Sequence, residues 1–372
     1  MAKRTYIGVS GKARKVKKMY VGVSGKARKI KKAYIGVAGK ARPFWGDTLE
    51  YYGSITSLDY AREKMAATVV GDYALFGGGN YGTGSRSNVD AYNSSLVHTM
   101  APNLSRSRYA LAAATIGDFA LFAGGRDFGA GLTVPLVDAY NSALTKSTAA
   151  DLSKWKMNLA ATTIGNYALF GGGDSGTSVD AYNSSLVRTT VSELTEFREN
   201  LAAASVGNYA LFAGGMTLYE YFSTVDVYNA ELVQSTPLAL SSAASGLGAA
   251  SNKKYALFAG GRFGRDSTDI TSKVTAFSAN LTKTTPVSMN QTVEDLAGCG
   301  GEEFAIFGGG ATSTSPVADA LSYNTSLMKQ SLPSMQEARE NLSAAHNGKF
   351  YIFAGGHNGN EFLKSSEAFV LD

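Results

Sequence analysis

A phrase of aromatic, Ala, Leu, Phe, small, Gly, Gly, or a close variant of it, recurs seven times in the 372 residues. Its phenylalanines are Phe76, Phe122, Phe170, Phe212, Phe258, Phe307 and Phe353, spaced 42 to 49 residues apart. A fixed period of that length marks a repeat architecture, and a four-stranded propeller blade needs about 40–50 residues. One such unit cannot cover both of its apolar faces, so neighbours must stack against it. The repeat therefore outweighs the two or three ordinary domains that the length alone suggests.

Within a repeat the pattern reads as four strands. Repeat four runs Leu201–Ser205, a Gly207-Asn208 hairpin, Tyr209–Phe212 ending in Gly214-Gly215, then Val225–Asn229 and a weaker strand from Val233 to Thr236. Gly-Asn and Gly-Asp pairs suit two-residue hairpins that need positive φ. Small residues in the first strand fit a crowded axis. Alternation sends the Leu and Phe of the second strand to opposite faces, both of which a propeller buries. The 42 Gly, 7 Pro and 44% hydrophobic residues agree with a turn-rich all-β chain. The segment Tyr51–Leu58 aligns with the fourth strand of a repeat, while the last repeat stops after its third strand. Residues 51–58 are thus expected to close the last blade and hide its edge. Six blades with a decorated edge is the alternative.

The repeats resemble kelch repeats. An Arg leads the first strand at Arg62, Arg108, Arg198 and Arg339, with Lys156 in repeat three and Ala244 and Val293 in repeats five and six. Third-strand aromatics stand at Tyr92, Tyr140, Tyr182, Tyr228, Phe277, Tyr323 and Phe369. The Trp that follows in kelch repeats is absent, and Leu96, Leu144, Leu186, Leu232, Leu281 and Leu327 stand nearby. The resemblance covers about 320 residues. It implies a seven-bladed kelch-like propeller over 47–372 and nothing about its ligand.

Charge divides the chain. Residues 1–42 hold 14 of the 35 Lys and Arg and no Asp or Glu, leaving 21 basic and 30 acidic residues in the remainder. This arm, residues 1–46, has its own 14-residue repeat: Tyr6–Lys18 recurs as Tyr20–Lys32 and again as Tyr34–Arg42. Ser-Gly-Lys-Ala and Ala-Gly-Lys-Ala read as turns between extended runs such as Arg14–Val23. The expectation is a small four-stranded antiparallel meander that orders against a partner or a copy of itself. A solvated charged face and a nucleic-acid-binding arm are competing readings. The unit also resembles short repeats in tail and other structural proteins of phages and prophages of Gram-positive bacteria. That resemblance implies attachment to other virion structural proteins through Tyr6, Lys12, Arg14, Lys17, Tyr20, Lys26, Arg28, Lys31, Tyr34, Lys40 and Arg42. It further implies a multi-copy protein of the virion, assembled in the bacterial cytoplasm.

A search for chemistry returns little. The single Cys299 excludes an intrachain disulfide, and it falls where a small buried residue belongs. The histidines, His98, His346 and His357, are scattered. No apolar run approaches a membrane span and no secretory signal opens the chain, which reads as soluble. The Asn-x-Ser triplets at Asn93, Asn183 and Asn324 recur at one turn and read as turn chemistry. We therefore expect a non-catalytic protein without cofactor or metal. Its candidate ligand-binding residues lie on loops at one end of the blades: Tyr81, Arg86, Arg126, Asp127, Phe128, Trp155, Tyr219, Tyr221, Arg262, Arg265, His357 and Asn358. Loop aromatics and arginines over a rigid scaffold suit a host-surface glycan or protein. The same aromatics could instead cover loop cores. A kelch-like carbohydrate-binding protein or enzyme, and a nucleic-acid-associated scaffold, are the alternative functions.

Overall fold

The computed structural model describes residues 6–371 apart from 10–11, 16–19, 24–25, 30–32, 38–39 and 46–47, with side chains described from residue 48 onward except at 236–237. The regular elements among the described residues are all strands. The chain divides into two compact units, Met1–Glu50 with Val370–Asp372, and Tyr51–Phe369.

The larger unit is a β-propeller of seven four-stranded antiparallel sheets. The innermost strands are Ala66–Val70, Ala112–Ile116, Ala160–Ile164, Ala202–Val206, Gly248–Asn252, Ala297–Gly300 and Ser343–His346. Each neighbours the next, and the seventh returns to the first. Leu49–Ile55 is the outermost strand of the seventh sheet, beside Ser366–Leu371. First and last segments of the propeller are thus joined in one blade. The small residues of the inner strands are sterically required. A Cβ on Gly300 would sit 1.7 Å from the Ser251 carbonyl oxygen of the neighbouring blade.

The second strand of each blade is buried on both faces, as the Leu-Phe pair predicts. Leu121 of the second blade shares a core cluster with Phe170 and Tyr182 of the third. Leu211 of the fourth meets Phe258 and Phe277 of the fifth in the same way. Within a blade, Phe and the third-strand aromatic meet edge to face, as in Phe122–Tyr140 at 5.8 Å and Phe212–Tyr228 at 5.9 Å. Such pairs add about 0.5–1.5 kcal/mol beyond their area burial. The Leu that stands near the missing Trp has positive φ at all six positions, from 56° to 64°. At Leu186 the turn is held by Asn183, whose Oδ1 accepts from Ser185 N and Val187 N. Leu186 itself packs onto an inter-blade core, which offsets the strained backbone.

The leading basic residues are buried beneath the loops. Arg62 pairs with Asp90 at 2.5 Å, Arg108 with Asp138 at 2.8 Å, Arg198 with Asp226 at 2.5 Å and Arg339 with Glu367 at 2.8 Å. Lys156 lies 3.6 Å from Asp180, and burial pulls its ammonium below the usual range while Asp180 opposes. Each carboxylate also accepts a backbone N–H from a neighbouring loop, for example Asp59 N to Asp90 and Thr195 N to Asp226. The fifth blade loses acid and base together. Ala244 replaces the Arg, and Thr275 Oγ1 keeps the loop bond by accepting from Ser241 N at 3.0 Å. In the sixth blade the corresponding residues are Val293 and Leu321.

Where the chain enters each inner strand, one residue takes left-handed φ: Lys64, Ala110, Asn158, Asn200, Gly246, Asp295 and Asn341, at 52° to 62°. The N–H of each donates to the carbonyl of its counterpart in the preceding blade. Lys64 donates to Asn341, which closes the circle, and all seven bonds are 2.9–3.0 Å.

Among the described residues of the smaller unit, three antiparallel strand pairs are formed, Tyr6–Val9 with Lys12–Lys15, Tyr20–Val23 with Lys26–Lys29, and Ala33–Val37 with Lys40–Trp45. Each pair falls within one 14-residue unit, and no four-stranded sheet joins them among the described residues. Of the expected extended run Arg14–Val23, residues 16–19 lie outside the described residues. Of the proposed attachment residues, Lys17 and Lys31 lie outside the described residues. Tyr6, Lys12, Arg14, Tyr20, Lys26, Arg28, Tyr34, Lys40 and Arg42 lie on the hairpin strands.

Candidate binding face

Inner strands begin, and second strands end, at the same end of the antiparallel blades. The loops after Gly-Gly and the loops leading to the inner strands therefore share one face, with the hydrogen-bonded circle at its centre. Below the circle runs a channel of about 230 Å³. The side chains along it are mostly small or apolar, including Ala67, Ala161, Ala203, Ala249, Gly298 and Ala344, and backbone polar groups form much of its wall. Such a wall offers few groups for proton transfer or nucleophilic attack.

The polar residues gather at the mouth. Glu63, Glu199, Glu294 and Glu340 each precede a residue of the circle and pair with the residue just beyond a Gly-Gly: Asn80, Met216, Ala311 and His357. Burial, and secondarily repulsion from Glu63, pushes the Glu340 carboxyl up. Burial raises Glu63 as well. Asp295 lies partly exposed on the circle, and burial followed by Glu294 pushes its carboxyl up to about 7. Two cations oppose these shifts. Arg262 forms a bidentate pair with Glu294, and Lys64 pulls the Glu63, Asp295 and Glu340 carboxyls down. Sequence reasoning missed this ring. Its signal was present as Arg-Glu-Asn-Leu at 198–201 and 339–342, directly after two of the leading arginines.

The candidate loop residues divide by environment. Asp127 is paired with Arg106 at 2.5 Å, and this hydrogen bond holds its carboxyl below the usual range. Arg126 is bridged through its backbone to Tyr109, and Tyr221 to Met216. Asn358 caps its own turn by accepting from Asn360 N and Glu361 N. His357 accepts from Gly359 N at 3.0 Å and meets Phe362 edge to face. Arg265 donates to the Leu218 carbonyl and lies over the Tyr219 ring. Arg86 is held between the rings of Tyr60 and Tyr81, 4.4 and 4.0 Å from their centroids. The aromatic side chains remain outward. Tyr219 is 78% exposed, Trp155 58% and Phe128 44%. Neighbouring loops brace each other: Phe128 N donates to Ser85 Oγ, and Thr133 Oγ1 donates to Asp174.

Cys299, His346 and His98 lie on three different strands. Cys299 is buried in the sixth inner strand, and desolvation raises its thiol. His346 stacks on Tyr351 at 4.0 Å, and burial lowers its imidazole to about 4. His98 pairs with Asp90 at 2.7 Å on the outer part of the first blade. Among the described residues, no group of three His, Cys, Asp or Glu is positioned to hold a metal ion.

No protein-family profile matches the chain, and no curated protein matches it in sequence. Solved structures do match. The structure of YjhT superposes with a TM-score of 0.56 at 10% identity, covering 86% of this chain and 99% of that one. Since 756 solved chains match, the fold is widely used, and at this identity the likeness establishes the β-propeller alone.

Proposed function

We propose that this protein is a non-catalytic recognition module of a phage virion. Its basic N-terminal repeats attach it to other structural proteins, and its loop face binds a host-surface glycan or protein. The observation that carries the recognition reading is the set of outward aromatics, Phe128, Trp155 and Tyr219, on mutually braced loops around a rigid ring. Aromatic anchors of this kind supply contact area at low conformational-entropy cost and dominate interface energetics. The scarcity of ionisable side chains along the channel supports binding over catalysis. The virion assignment rests on the tandem Tyr-Ile-Gly-Val-x-Gly-Lys-Ala-Arg unit and its resemblance to phage structural repeats. Display in many copies turns a weak single contact into strong adhesion.

Two measurements separate the halves of this proposal. Deletion of residues 1–45 should remove the protein from purified particles, and unchanged incorporation refutes the attachment role. The full-length protein should bind host cell walls, and Tyr219→Ser with Trp155→Ser should weaken that binding at least tenfold. Equal binding by the double variant refutes the assigned face.

A further inference from the structure

We infer that Arg86 is an oxyanion-binding group on the rim of the first blade, poised to take a carboxylate or phosphate carried by the surface ligand. The position is defined by the backbone. Arg86 N donates to Gly79 O, as Val134, Phe222, Thr271, Val317 and Leu363 donate to the second Gly of their own blades. Those residues are apolar or carry one hydroxyl, and Val134 and Leu363 are buried. The first blade alone among these places a guanidinium there.

Three features distinguish Arg86 from a solvated arginine. Its plane is fixed between Tyr60 and Tyr81. Its Nε is buried and has no hydrogen-bond partner. No carboxylate among the described residues pairs with it, although Arg106, Arg262 and Arg265 on the same face each have an acceptor. The two terminal nitrogens are not buried, so the open edge presents parallel N–H donors in a fixed plane. That fork matches two oxygens of a carboxylate or phosphate, and the stacked rings have already removed the rotamer freedom that binding would cost. The inference deepens the recognition reading and rests on it only for the ligand being on a surface.

The test uses the full-length protein and two simple probes, sodium acetate and sodium phosphate, against sodium chloride at matched ionic strength. Amide and arginine side-chain NMR signals around Ser85–Ser87 should shift saturably with an oxyanion and not with chloride. Saturation by acetate alone assigns a carboxylate, and by phosphate alone a phosphate. Arg86→Lys should weaken binding at least tenfold because it loses the fork, and Tyr81→Leu at least threefold because it frees the plane. Arg86→Met should abolish binding. The inference is overturned if neither oxyanion saturates the shift, or if Arg86→Lys and Arg86→Met titrate like the parent. Unchanged amide signals in the other blades verify folding, and if Arg86→Met fails to fold, the Lys variant decides. Cell-wall binding is read separately, so loss of anion binding with retained adhesion refutes this site and not the recognition function.

Discussion

Removing one member of a buried ion pair should damage this protein far more than removing both, and the fourth blade allows a quantitative test. Arg198 and Asp226 have no solvent exposure and lie 2.5 Å apart. Arg198→Met leaves the Asp226 carboxylate buried with only Thr195 N and Gln234 Nε2 as donors. Asp226→Thr leaves the guanidinium with the Phe212 and Thr224 carbonyls and the partly exposed Glu196 carboxylate at 3.8 Å. Each single change should cost about 3–5 kcal/mol, since the charge left behind stays in the interior without its close partner. The double variant follows the fifth blade, where Ala244 stands with Thr275 and the Thr hydroxyl still accepts the loop N–H. Methionine fills most of the arginine volume, so the double variant should lie within about 2 kcal/mol of the parent. Two independent losses would total about 6–10 kcal/mol, so the cycle should return a coupling of at least about 4 kcal/mol. Urea unfolding at pH 7 measures all four proteins, with unchanged m-values as the condition for comparison. A coupling below about 1.5 kcal/mol would falsify the reading of these residues as a single buried unit.

Two further outcomes follow from the mouth and the axis. Asp295 ionises near 7 in the folded protein and near 4 unfolded, so the fold holds the extra proton between those values and loses stability as pH rises through them. Asp295→Asn removes this dependence and should raise stability at pH 8 by about 1–3 kcal/mol while giving little at pH 4, as read from urea midpoints at both pH values. Gly300→Ala places a Cβ against Ser251 O and should cost about 3 kcal/mol or prevent folding. By contrast, Gly129→Ala, on an open loop, should stay within about 0.5 kcal/mol in the same assay.

The blade pattern was legible because its cause is local. Gly-Asn hairpins, the Leu-Phe pair and the Gly-Gly stop each report a backbone or packing demand inside one repeat. The seven-sheet ring follows from counting them. The arginines were legible as a repeat feature, but their role required seeing that blades five and six lose the acid with the base. In the arm, strand alternation does not say which strand pairs with which, and the described pairs each lie within one 14-residue unit. Arg86 was legible only as a loop arginine, since Tyr60 lies 26 positions away and the sandwich forms only when the loops meet. The circle was only partly legible: Asn158, Asn200, Gly246, Asp295 and Asn341 are residue types that favour positive φ, but nothing in the sequence says that they link blade to blade.

Seven residues, each donating its N–H to one neighbour and accepting at its carbonyl from the next, form a hoop without a free end. To dilate the axis, all seven links must lengthen together, whereas a gap at one place leaves six to hold the rim. The hoop thus resists widening of the axis, and shape change on this face is left to the loops outside it.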